Sequence, residues 1–400
     1  MTMAHRGGTS MRSRLALGSL VLLLATAGCS GASTTDDEPI PRITQPTDQA
    51  SEPTPSEPPA TPGADDDGIG GNDDDGRVRR PRALDVLADR LEVPWGVDFL
   101  PDGAAVVTER ISGRVLRVTA EGDLDPVGSI ESTVPQGEAG LLGVAVSPGF
   151  DSDRTVFFYV TTETDNRVLS ARLDGSRLGP TRVVLDGIPA GFIHDGGRIA
   201  FGPDGFLYVT TGETGDPELA QDPDSLAGKI LRITRDGRPA PGNPDAGSPV
   251  WSLGHRNVQG LAWDEEGRLW ASEFGASEWD ELNLVEKGAN YGWPRVEGAG
   301  GGPDFVDPQL VWPVEQASPS GLAYVAGHLW MAGLRGQRLW RIRVSADGEA
   351  SRPTAFFTED YGRLRTVATA PDGLLWLTTS NRDGRGQPAL ADDRLIRVRP

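Results

Sequence analysis

The chain of 400 residues contains a single cysteine, Cys29, and only four histidines. One cysteine excludes an intrachain disulfide and a metal site built from several thiolates. Basic residues are also few, 38 against 58 acidic ones, which gives a formal net charge of −20. Such a surface repels phosphate backbones, so we do not expect nucleic-acid binding. No Walker loop, Rossmann glycine fingerprint, zinc-binding helix or nucleophile elbow occurs in the sequence.

The long apolar run Leu15–Ala25 follows Arg12 and Arg14 and is short for a membrane span. It is typical of an export signal. The small residues before Cys29 resemble the bacterial lipoprotein box, which implies cleavage and lipidation at Cys29. An ordinary secretory signal is the alternative, with Cys29 incidental. We therefore expect an exported protein: a cell-membrane lipoprotein on the extracytoplasmic side, attached through its lipid, or a secreted one.

The next segment is rich in Pro, Ser, Thr, Asp and Gly and almost lacks large apolar residues. It cannot bury enough surface to offset the entropy of ordering, so we predict a disordered acidic tether. The sequence thus divides into a signal peptide at 1–28, a tether at 29–80 and a folded domain at 81–400. In that domain many Gly and Pro residues favour turns over long helices, and ten Trp in the chain indicate a packed core.

One hairpin pattern recurs six times after residue 80: a small apolar strand, a tight turn, and a second strand rich in aromatic and β-branched residues. The first strands are Gly96–Phe99, Gly143–Val146, Arg198–Phe201, Gly260–Trp263, Gly321–Tyr324 and Thr366–Thr369. Radial repetition of a four-stranded unit is what a β-propeller requires. We predict an all-β fold, a six-bladed β-propeller of four-stranded antiparallel sheets. A β-sandwich with chance repeats is the alternative.

Residues directly before a blade's first strand, or directly after its second, share one face and line the central mouth. The residues at these positions are Glu138, His194, Glu213, Arg256, Asn257, Gly275, Arg335, Arg363 and Arg365. Guanidinium groups match planar carboxylates, so four arginines at one mouth of an acidic protein predict a small polyanionic ligand. Salt bridges between blades are the alternative for each arginine taken singly.

Two further features of the mouth carry chemistry. His194 is a candidate general base, because a neutral imidazole can remove a hydroxyl proton. His255 lies beside Arg256, and we expect its side chain to point inward as packing. The oxygen-rich segment from Glu273 to Glu281 suits a hard cation such as calcium, held partly by backbone carbonyls.

Several motifs occur in a characteristic order between Leu91 and Pro400. They include P-W-G at Pro94–Gly96, G-E-A-G-L-L at Gly137–Leu142, H-D-G-G-R at His194–Arg198, G-H-R-N-V-Q-G at Gly254–Gly260, N-Y-G-W-P at Asn290–Pro294, L-R-G at Leu334–Gly336 and G-R-L-R at Gly362–Arg365. In this order they resemble the soluble PQQ-dependent sugar dehydrogenases, close to the aldose sugar dehydrogenase branch.

The resemblance implies a cofactor, PQQ, which is a quinone bearing three carboxylates. The residues implied to bind it are Glu138, Arg256, Asn257, Leu334, Arg335, Gly336, Arg363, Leu364 and Arg365. It also implies one calcium ion on the carbonyls of Gly275 and Ala276, and a second on Glu281 and the backbone of Tyr291. His194 and Arg256 are the implied catalytic residues. His194 would take the anomeric hydroxyl proton while hydride passes from C1 of an aldose to PQQ, giving a lactone; the electron acceptor is not specified.

Two departures from the family pattern bear on the site. Glu138 stands where the family commonly has Gln, and a carboxylate beside an anionic quinone is unfavourable unless it is protonated or paired. Ile193 replaces the polar residue often found before the catalytic histidine, so we expect His194 to lack that orienting partner. The alternatives are a cofactor-free propeller that binds a glycan or a protein, and a calcium-dependent lactonase on the same architecture.

Overall fold

The computed structural model describes residues 80–400. The predicted signal peptide, the lipidation site Cys29 and all but the last residue of the predicted tether lie outside this range. Within it the regular elements are β-strands, apart from one helical turn, α1 (Phe150–Asp153), and a 3₁₀ turn at Pro217–Ala220. No helix among the residues described is long and apolar enough to cross a membrane.

The first strand is β1 (Arg82–Ala88), and three sheets follow it along the chain. Blade one contains β2 (Pro94–Phe99), β3 (Ala105–Glu109), β4 (Arg114–Val118) and β5 (Leu124–Ser129). Blade two contains β6 (Leu141–Val146), β7 (Thr155–Thr161), β8 (Asn166–Asp174), the short β9 (Arg177–Leu178) and β10 (Arg182–Ile188). Blade three contains β11 (Ile199–Phe201), β12 (Leu207–Thr210), β13 (Lys229–Ile233) and β14 (Val250–Leu253).

Three more sheets complete the ring. Blade four contains β15 (Val258–Trp263), β16 (Leu269–Glu273), β17 (Trp279–Val285) and β18 (Leu310–Pro313). Blade five contains β19 (Pro319–Val325), β20 (His328–Gly333), β21 (Arg338–Val344) and β22 (Ala350–Phe356). Blade six contains β23 (Leu364–Thr369), β24 (Leu375–Thr379) and β25 (Leu395–Arg399), and β1 pairs antiparallel with β25 as its fourth strand. The two ends of the described chain therefore close the ring, and the predicted six-bladed propeller is confirmed.

The hydrophobic core is divided among the interfaces between blades. Each of six buried clusters joins one blade to the next around the ring. A small residue on an inner strand faces a tryptophan on the neighbouring strand at Ala262–Trp270, Ala323–Trp330 and Ala368–Trp376. The small residue leaves room near the crowded axis, and the indole fills the wider space farther out. This alternation explains the recurring hairpin pattern in the sequence.

Arg198, at the start of blade three, contacts three other blades. Its Nε donates to the carbonyl of Gln259 at 2.8 Å, and its Nη2 donates to Thr366 Oγ1 at 3.0 Å. The guanidinium also lies 4.2 Å from the ring centroid of Trp95, a cation–π distance. Burial lowers the pKa of Arg198 to about 9, so the group keeps its charge at neutral pH. The interior of the propeller thus carries a fixed positive charge.

Candidate active site

A cavity of about 380 Å³ opens where innermost strands begin and second strands end. Small-molecule sites typically measure ~300–1,000 Å³. Five of the six blades contribute to the lining, which consists of Arg110, Glu138, Gln259, Phe274, Ser318, Leu334, Arg335, Arg363, Arg365 and Arg385. The structure therefore brings together Glu138, Leu334, Arg335, Arg363 and Arg365 from the predicted set. Half of the lining residues are arginines, in a protein whose formal net charge is −20.

Asp383 supports two of these arginines from behind. Its Oδ2 accepts from Arg363 Nη2 at 2.9 Å and lies 3.4 Å from Arg365 Nη2, and its side chain is fully buried. Burial would raise the pKa of Asp383, but the charges of Arg365 and Arg363 outweigh it and hold that pKa below its ordinary value. Burial lowers the pKa of Arg365 to about 9. One carboxylate thus orients two guanidinium groups and leaves a net positive charge.

The cavity fits a small polyanion because buried N–H donors of its arginines have no hydrogen-bond acceptor. The Nε atoms of Arg110 and Arg365, which both line this cavity, are buried and have no hydrogen-bond partner within 80–400. Buried polar groups are almost always hydrogen-bonded in folded proteins, so unpartnered donors next to a cavity indicate a missing ligand. The charge of the lining makes an anion the matching ligand.

His194 is held firmly beside this cavity, with a side chain 14% exposed. Its backbone is left-handed, with a φ of 58°, and its carbonyl accepts from the N–H of Thr214 at 3.2 Å. A Cβ at Gly212 would lie 1.7 Å from that carbonyl, so only glycine fits there. The ring Nδ1 contacts the Glu213 carboxylate, and Nε2 lies 3.1 Å from Arg256 Nη2. Because arginine can only donate, Nε2 accepts, and the proton of the neutral ring is on Nδ1.

His194 has an orienting partner, although not at the position that precedes it. Ile193 supplies none, but Glu213 reaches the ring from the end of the neighbouring second strand. Glu138 is also paired: its Oε1 lies 3.1 Å from Arg385 Nη2, and its Oε2 accepts the His194 N–H at 3.0 Å. The carboxylate at position 138 is therefore compensated and helps to hold the histidine backbone.

Four predicted cofactor residues lie outside the cavity lining. Arg256 reaches His194 instead, with its guanidinium 5.4 Å from the ring centroid of Trp293. Asn257 is buried, and its Oδ1 accepts the N–H of Gly196 at 3.0 Å. Leu364 packs in the core between blades five and six, because alternate residues of a strand face opposite ways. The N–H of Gly336 donates to the carbonyl of Ala317. The structure thus gives the side chains of Asn257 and Leu364 packing and hydrogen-bonding roles.

A second, smaller cavity lies behind Arg256. The predicted metal residues Gly275, Glu281 and Tyr291 line it together with Glu273. Its volume is about 10 Å³, room for roughly one ion or water. Ala276 does not line it, and its N–H donates to Glu297 Oε1 at 2.7 Å. The structure therefore brings three of the four predicted metal residues to one small space.

The donors of this second cavity suit a hard cation. Burial, together with the charge of Glu273, raises the pKa of Glu281. Asn283 Nδ2 bridges the two carboxylates, and its Oδ1 is buried without a partner in 80–400. Three carboxylates line this cavity, those of Glu273, Glu281 and Glu297, and carboxylate oxygens are the ligand type that calcium prefers. No group of three or more His, Cys, Asp or Glu residues in the described part of the chain is arranged to hold a metal, so backbone oxygens would have to complete the shell.

The sequence analysis missed several residues of the first cavity. Arg110 directly follows β3, the same position in its blade that Phe274 and Leu334 occupy in theirs, so the repeat could have identified it. Asp383 and Arg385 belong to the loop between β24 and β25, where no repeat position marks a residue as facing the mouth.

Fold and site together define a six-bladed propeller with a positively charged axial cavity and an oriented histidine beside it. The family model described as Glucose / Sorbosone dehydrogenase matches residues 91–396, and the chain belongs to this family. This confirms the resemblance derived from the motifs.

Three relatives illustrate the family. A solved structure of a PQQ-bound aldose sugar dehydrogenase from Streptomyces coelicolor is 52% identical, with a TM-score of 0.77, and the match covers 80% of this chain and 97% of that one. The aldose sugar dehydrogenase of Escherichia coli is 30% identical over 75% of this chain and 91% of its own length. Quinoprotein glucose dehydrogenase B of Acinetobacter calcoaceticus is 32% identical over 53% of this chain and 52% of its own length.

Proposed function

We propose that the protein oxidises aldose sugars at C1 to lactones, with PQQ and calcium as cofactors. The single observation that carries this proposal is the arginine-lined cavity beside His194. The Streptomyces coelicolor relative, 52% identical, is described as PQQ-bound, which supports the same cofactor here. When bound, the quinone supplies the acceptor for two electrons from the sugar, and calcium supplies a Lewis acid.

The residues that would hold the quinone's carboxylates are Arg335, Arg363 and Arg365, with Arg256 at the side of His194. Hydrogen bonds to charged groups contribute about 1.5–3 kcal/mol each. Three or four of them account for micromolar or tighter binding, which corresponds to about −8 kcal/mol. Asp383 keeps Arg363 and Arg365 aimed in one direction, so little side-chain entropy is lost when the anion binds.

His194 is the proposed general base. Its unprotonated Nε2 would accept the proton of the anomeric hydroxyl, and the Glu213 carboxylate at Nδ1 would stabilise the imidazolium that forms. Arg256 Nη2, 3.1 Å from Nε2, occupies the lone pair that the hydroxyl needs, so the substrate would have to displace this guanidinium. The residues that would hold calcium are Gly275 and Ala276 through their carbonyls, and Glu281 and Tyr291 at the second cavity.

Reconstitution tests the proposal. Purified protein mixed with PQQ and calcium should reduce a redox dye when glucose or another aldose is added. Arg363→Ala should weaken PQQ binding by about 10–100-fold, because one charged hydrogen bond is lost. Arg343→Ala is the matched control, an exposed arginine of β21 outside the cavity lining.

Three results would count against the proposal. Correctly folded protein that reduces no dye across a panel of aldoses would favour the cofactor-free binding module. Calcium-dependent hydrolysis of lactones without dye reduction would favour the lactonase. Equal PQQ affinity in Arg363→Ala and wild type would show that the cavity is not the cofactor site.

The cellular location is a separate proposal that rests on residues 1–80. We propose cleavage before Cys29, lipidation of its thiol, and a tether that holds the propeller outside the cytoplasmic membrane. Metabolic labelling with a radioactive fatty acid should mark the wild type and not Cys29→Ser. Equal labelling of both proteins would contradict lipidation at this residue.

A further inference from the structure

One lysine is buried in blade three, outside the lining of both cavities. The chain has only two lysines, Lys229 and Lys287, so arginine supplies nearly all of its basic side chains. Lys229 begins β13 and is fully buried, whereas Lys287 is exposed. Burying an ammonium group costs free energy unless its N–H donors are bonded. A buried lysine in a chain that otherwise uses arginine therefore indicates a need for a compact ammonium group.

Three backbone carbonyls surround this ammonium group. Lys229 Nζ donates to the carbonyls of Leu219 at 2.7 Å, Ala220 at 3.1 Å and Ala227 at 2.7 Å, a set that we call the carbonyl cage. An ammonium group has three N–H donors, so each donor has one acceptor. Burial lowers the pKa of Lys229 to about 8, against the charge of Asp222, and the group is protonated at neutral pH. Carbonyl oxygens around one positive charge also bind small monovalent cations in other proteins.

The carbonyl cage holds the 3₁₀ turn Pro217–Ala220, which supplies two of its three carbonyls. The last carbonyls of a helical turn lack partners within the turn, and the ammonium group supplies a donor for them. The carbonyl of Ala220 also accepts the N–H of Gly254 at 3.0 Å, two residues before Arg256. Lys229 therefore ties this turn both to β13 and to the segment that leads into Arg256.

The residue after the turn reaches the proposed active site. Gln221 Nε2 donates to the carbonyl of Trp293 at 2.6 Å. The amide of Gln221 also exchanges two hydrogen bonds with the amide of Asn290, at 3.0 and 2.8 Å. Trp293 carries the guanidinium of Arg256, 5.4 Å from its ring centroid. A series of direct contacts thus joins the buried ammonium group to Arg256.

We propose that the carbonyl cage is a site for a small ammonium ion, which Lys229 fills, and that the filled site positions Trp293 and Arg256 for the proposed sugar oxidation. The effect on turnover rests on the proposed function, whereas the cage belongs to the folded chain without any reaction. Lys229 is a positioning residue and takes no part in proton transfer. The cage needs a positive charge with N–H donors and not the covalent stem, so a free alkylammonium ion should replace the side chain.

Urea denaturation in the presence of n-propylammonium tests the cage. This ion matches the atoms from Cγ to Nζ that Lys229→Ala removes. It should raise the urea midpoint of Lys229→Ala and not that of wild type, because a ligand that binds only the folded state stabilises it. Tetramethylammonium has the same charge and no N–H donor, so it should raise neither midpoint. Refolding from urea with and without n-propylammonium gives the same comparison for a variant that does not fold alone.

Two controls separate the ammonium group from packing. Lys229→Met keeps an apolar stem in the same space and has no donor, so it should be less stable than wild type and should not respond to n-propylammonium. Lys287→Ala removes the other lysine, which is exposed, and should match wild type with and without the ion. A stability of Lys229→Met equal to wild type would show that the side chain only fills space.

Kinetics of the PQQ- and calcium-loaded protein test the positioning role. Lys229→Ala and Gln221→Ala should each lower kcat with glucose roughly 3–10-fold, because Arg256 loses the fixed ring on which it rests. The double variant should lose no more than either single variant, since both residues act through one series of contacts. The ion n-propylammonium should restore kcat in Lys229→Ala and not in Gln221→Ala, where Lys229 already fills the cage.

The possible failures are distinguishable. A urea midpoint of Lys229→Ala that ignores n-propylammonium, or that rises equally with tetramethylammonium, would overturn the cage. Wild-type kcat in Lys229→Ala, or losses that multiply in the double variant, would overturn the positioning role. A wild type that reduces no dye with any aldose would count against the proposed function, and the denaturation experiment would still decide on the cage.

Discussion

Two histidines of this propeller make nearly the same contact and have different surroundings. His194 Nδ1 touches Glu213, and His255 Nδ1 lies 2.9 Å from Glu273 Oε2. The Nε2 of His255 is taken by Ser252 Oγ at 2.9 Å, and its fully buried ring stacks on Tyr291 with centroids 4.7 Å apart. The Nε2 of His194 lies 3.1 Å from the guanidinium of Arg256.

The difference shows that a carboxylate on Nδ1 does not by itself make a candidate base. What distinguishes His194 is a side chain that is 14% exposed and an Nε2 that meets a guanidinium, whereas the His255 side chain is fully buried. Arg256 links the two pairs, because its N–H donates to Glu273 Oε1 and its guanidinium reaches His194. The buried pair His255–Glu273 therefore holds the backbone of Arg256, whose guanidinium contacts His194 of the other pair.

The largest expected effect separates the two histidines directly. His194→Ala should lower kcat about 10²–10⁴-fold, the usual contribution of a general base, and leave PQQ affinity and the free energy of unfolding close to wild type. His255→Ala should lower the free energy of unfolding by about 1–3 kcal/mol, because Glu273 loses a buried partner. Dye-reduction kinetics and urea denaturation measure both quantities. A stable but inactive His255→Ala together with an active His194→Ala would reverse the assignment.

The next effect concerns the two glutamates. Glu213→Gln keeps the shape of the contact and removes the charge that stabilises the imidazolium, so kcat should fall about 10–100-fold. The acid limb of the kcat–pH profile should also move, which a purely structural role would not produce. Glu273→Gln is the matched change in the buried pair and should lower stability more than kcat. Superimposable pH profiles for Glu213→Gln and wild type would contradict the proposed role of Glu213.

A smaller effect is expected at the residue that joins the pairs. Arg256→Met preserves much of the side-chain volume over Trp293 and removes the donor to Nε2. We expect roughly tenfold lower kcat and weaker PQQ binding, since one charged hydrogen bond is lost. Arg256→Lys should recover part of the binding and less of the turnover, because an ammonium lacks the guanidinium's fork. Unchanged turnover in Arg256→Met would show that Nε2 does not need this neighbour.

The smallest effect is expected at Asp195, which is buried next to His194. It concerns the pH dependence of the free energy of unfolding. Burial raises the pKa of Asp195 to about 6, against hydrogen bonds from Gly191 and Asn166, and its Oδ2 has no partner among the described residues. Between about pH 4 and 6 the folded protein therefore binds more protons than the unfolded chain at this residue, and its stability falls as pH rises through that window.

Asp195→Asn removes this dependence. Urea denaturation of wild type and Asp195→Asn at pH 4, 5, 6 and 7 should show wild type losing stability relative to the variant as pH rises, with a constant difference above about pH 6. Other groups titrate alike in both proteins and cancel in the difference. Parallel stability curves over the whole range would contradict the raised pKa.

Much of the fold could be predicted because each blade repeats one local pattern. The hairpin Gly260–Trp263 with Leu269–Ser272 shows the reason: the spacing of small, turn and aromatic residues depends on neighbours in sequence. The closure of blade six by β1 could not be derived in the same way, because its partner β25 lies some three hundred residues away. The tight turn predicted after Gly143–Val146 instead contains the short helix α1.

The sequence alone determined the number of blades and the positions of Glu138, Arg335, Arg363 and Arg365 near strand ends, because strand ends are set by local turns. Tertiary structure alone decided what each of these groups touches: Asp383 behind two arginines, Glu213 on the imidazole, and Arg385 against Glu138. Such contacts join loops from different blades, and their geometry follows from how the whole ring closes. The residue types at the mouth can therefore be predicted from the sequence. The ion pairs they form and the position of the histidine proton are decided only by the tertiary structure.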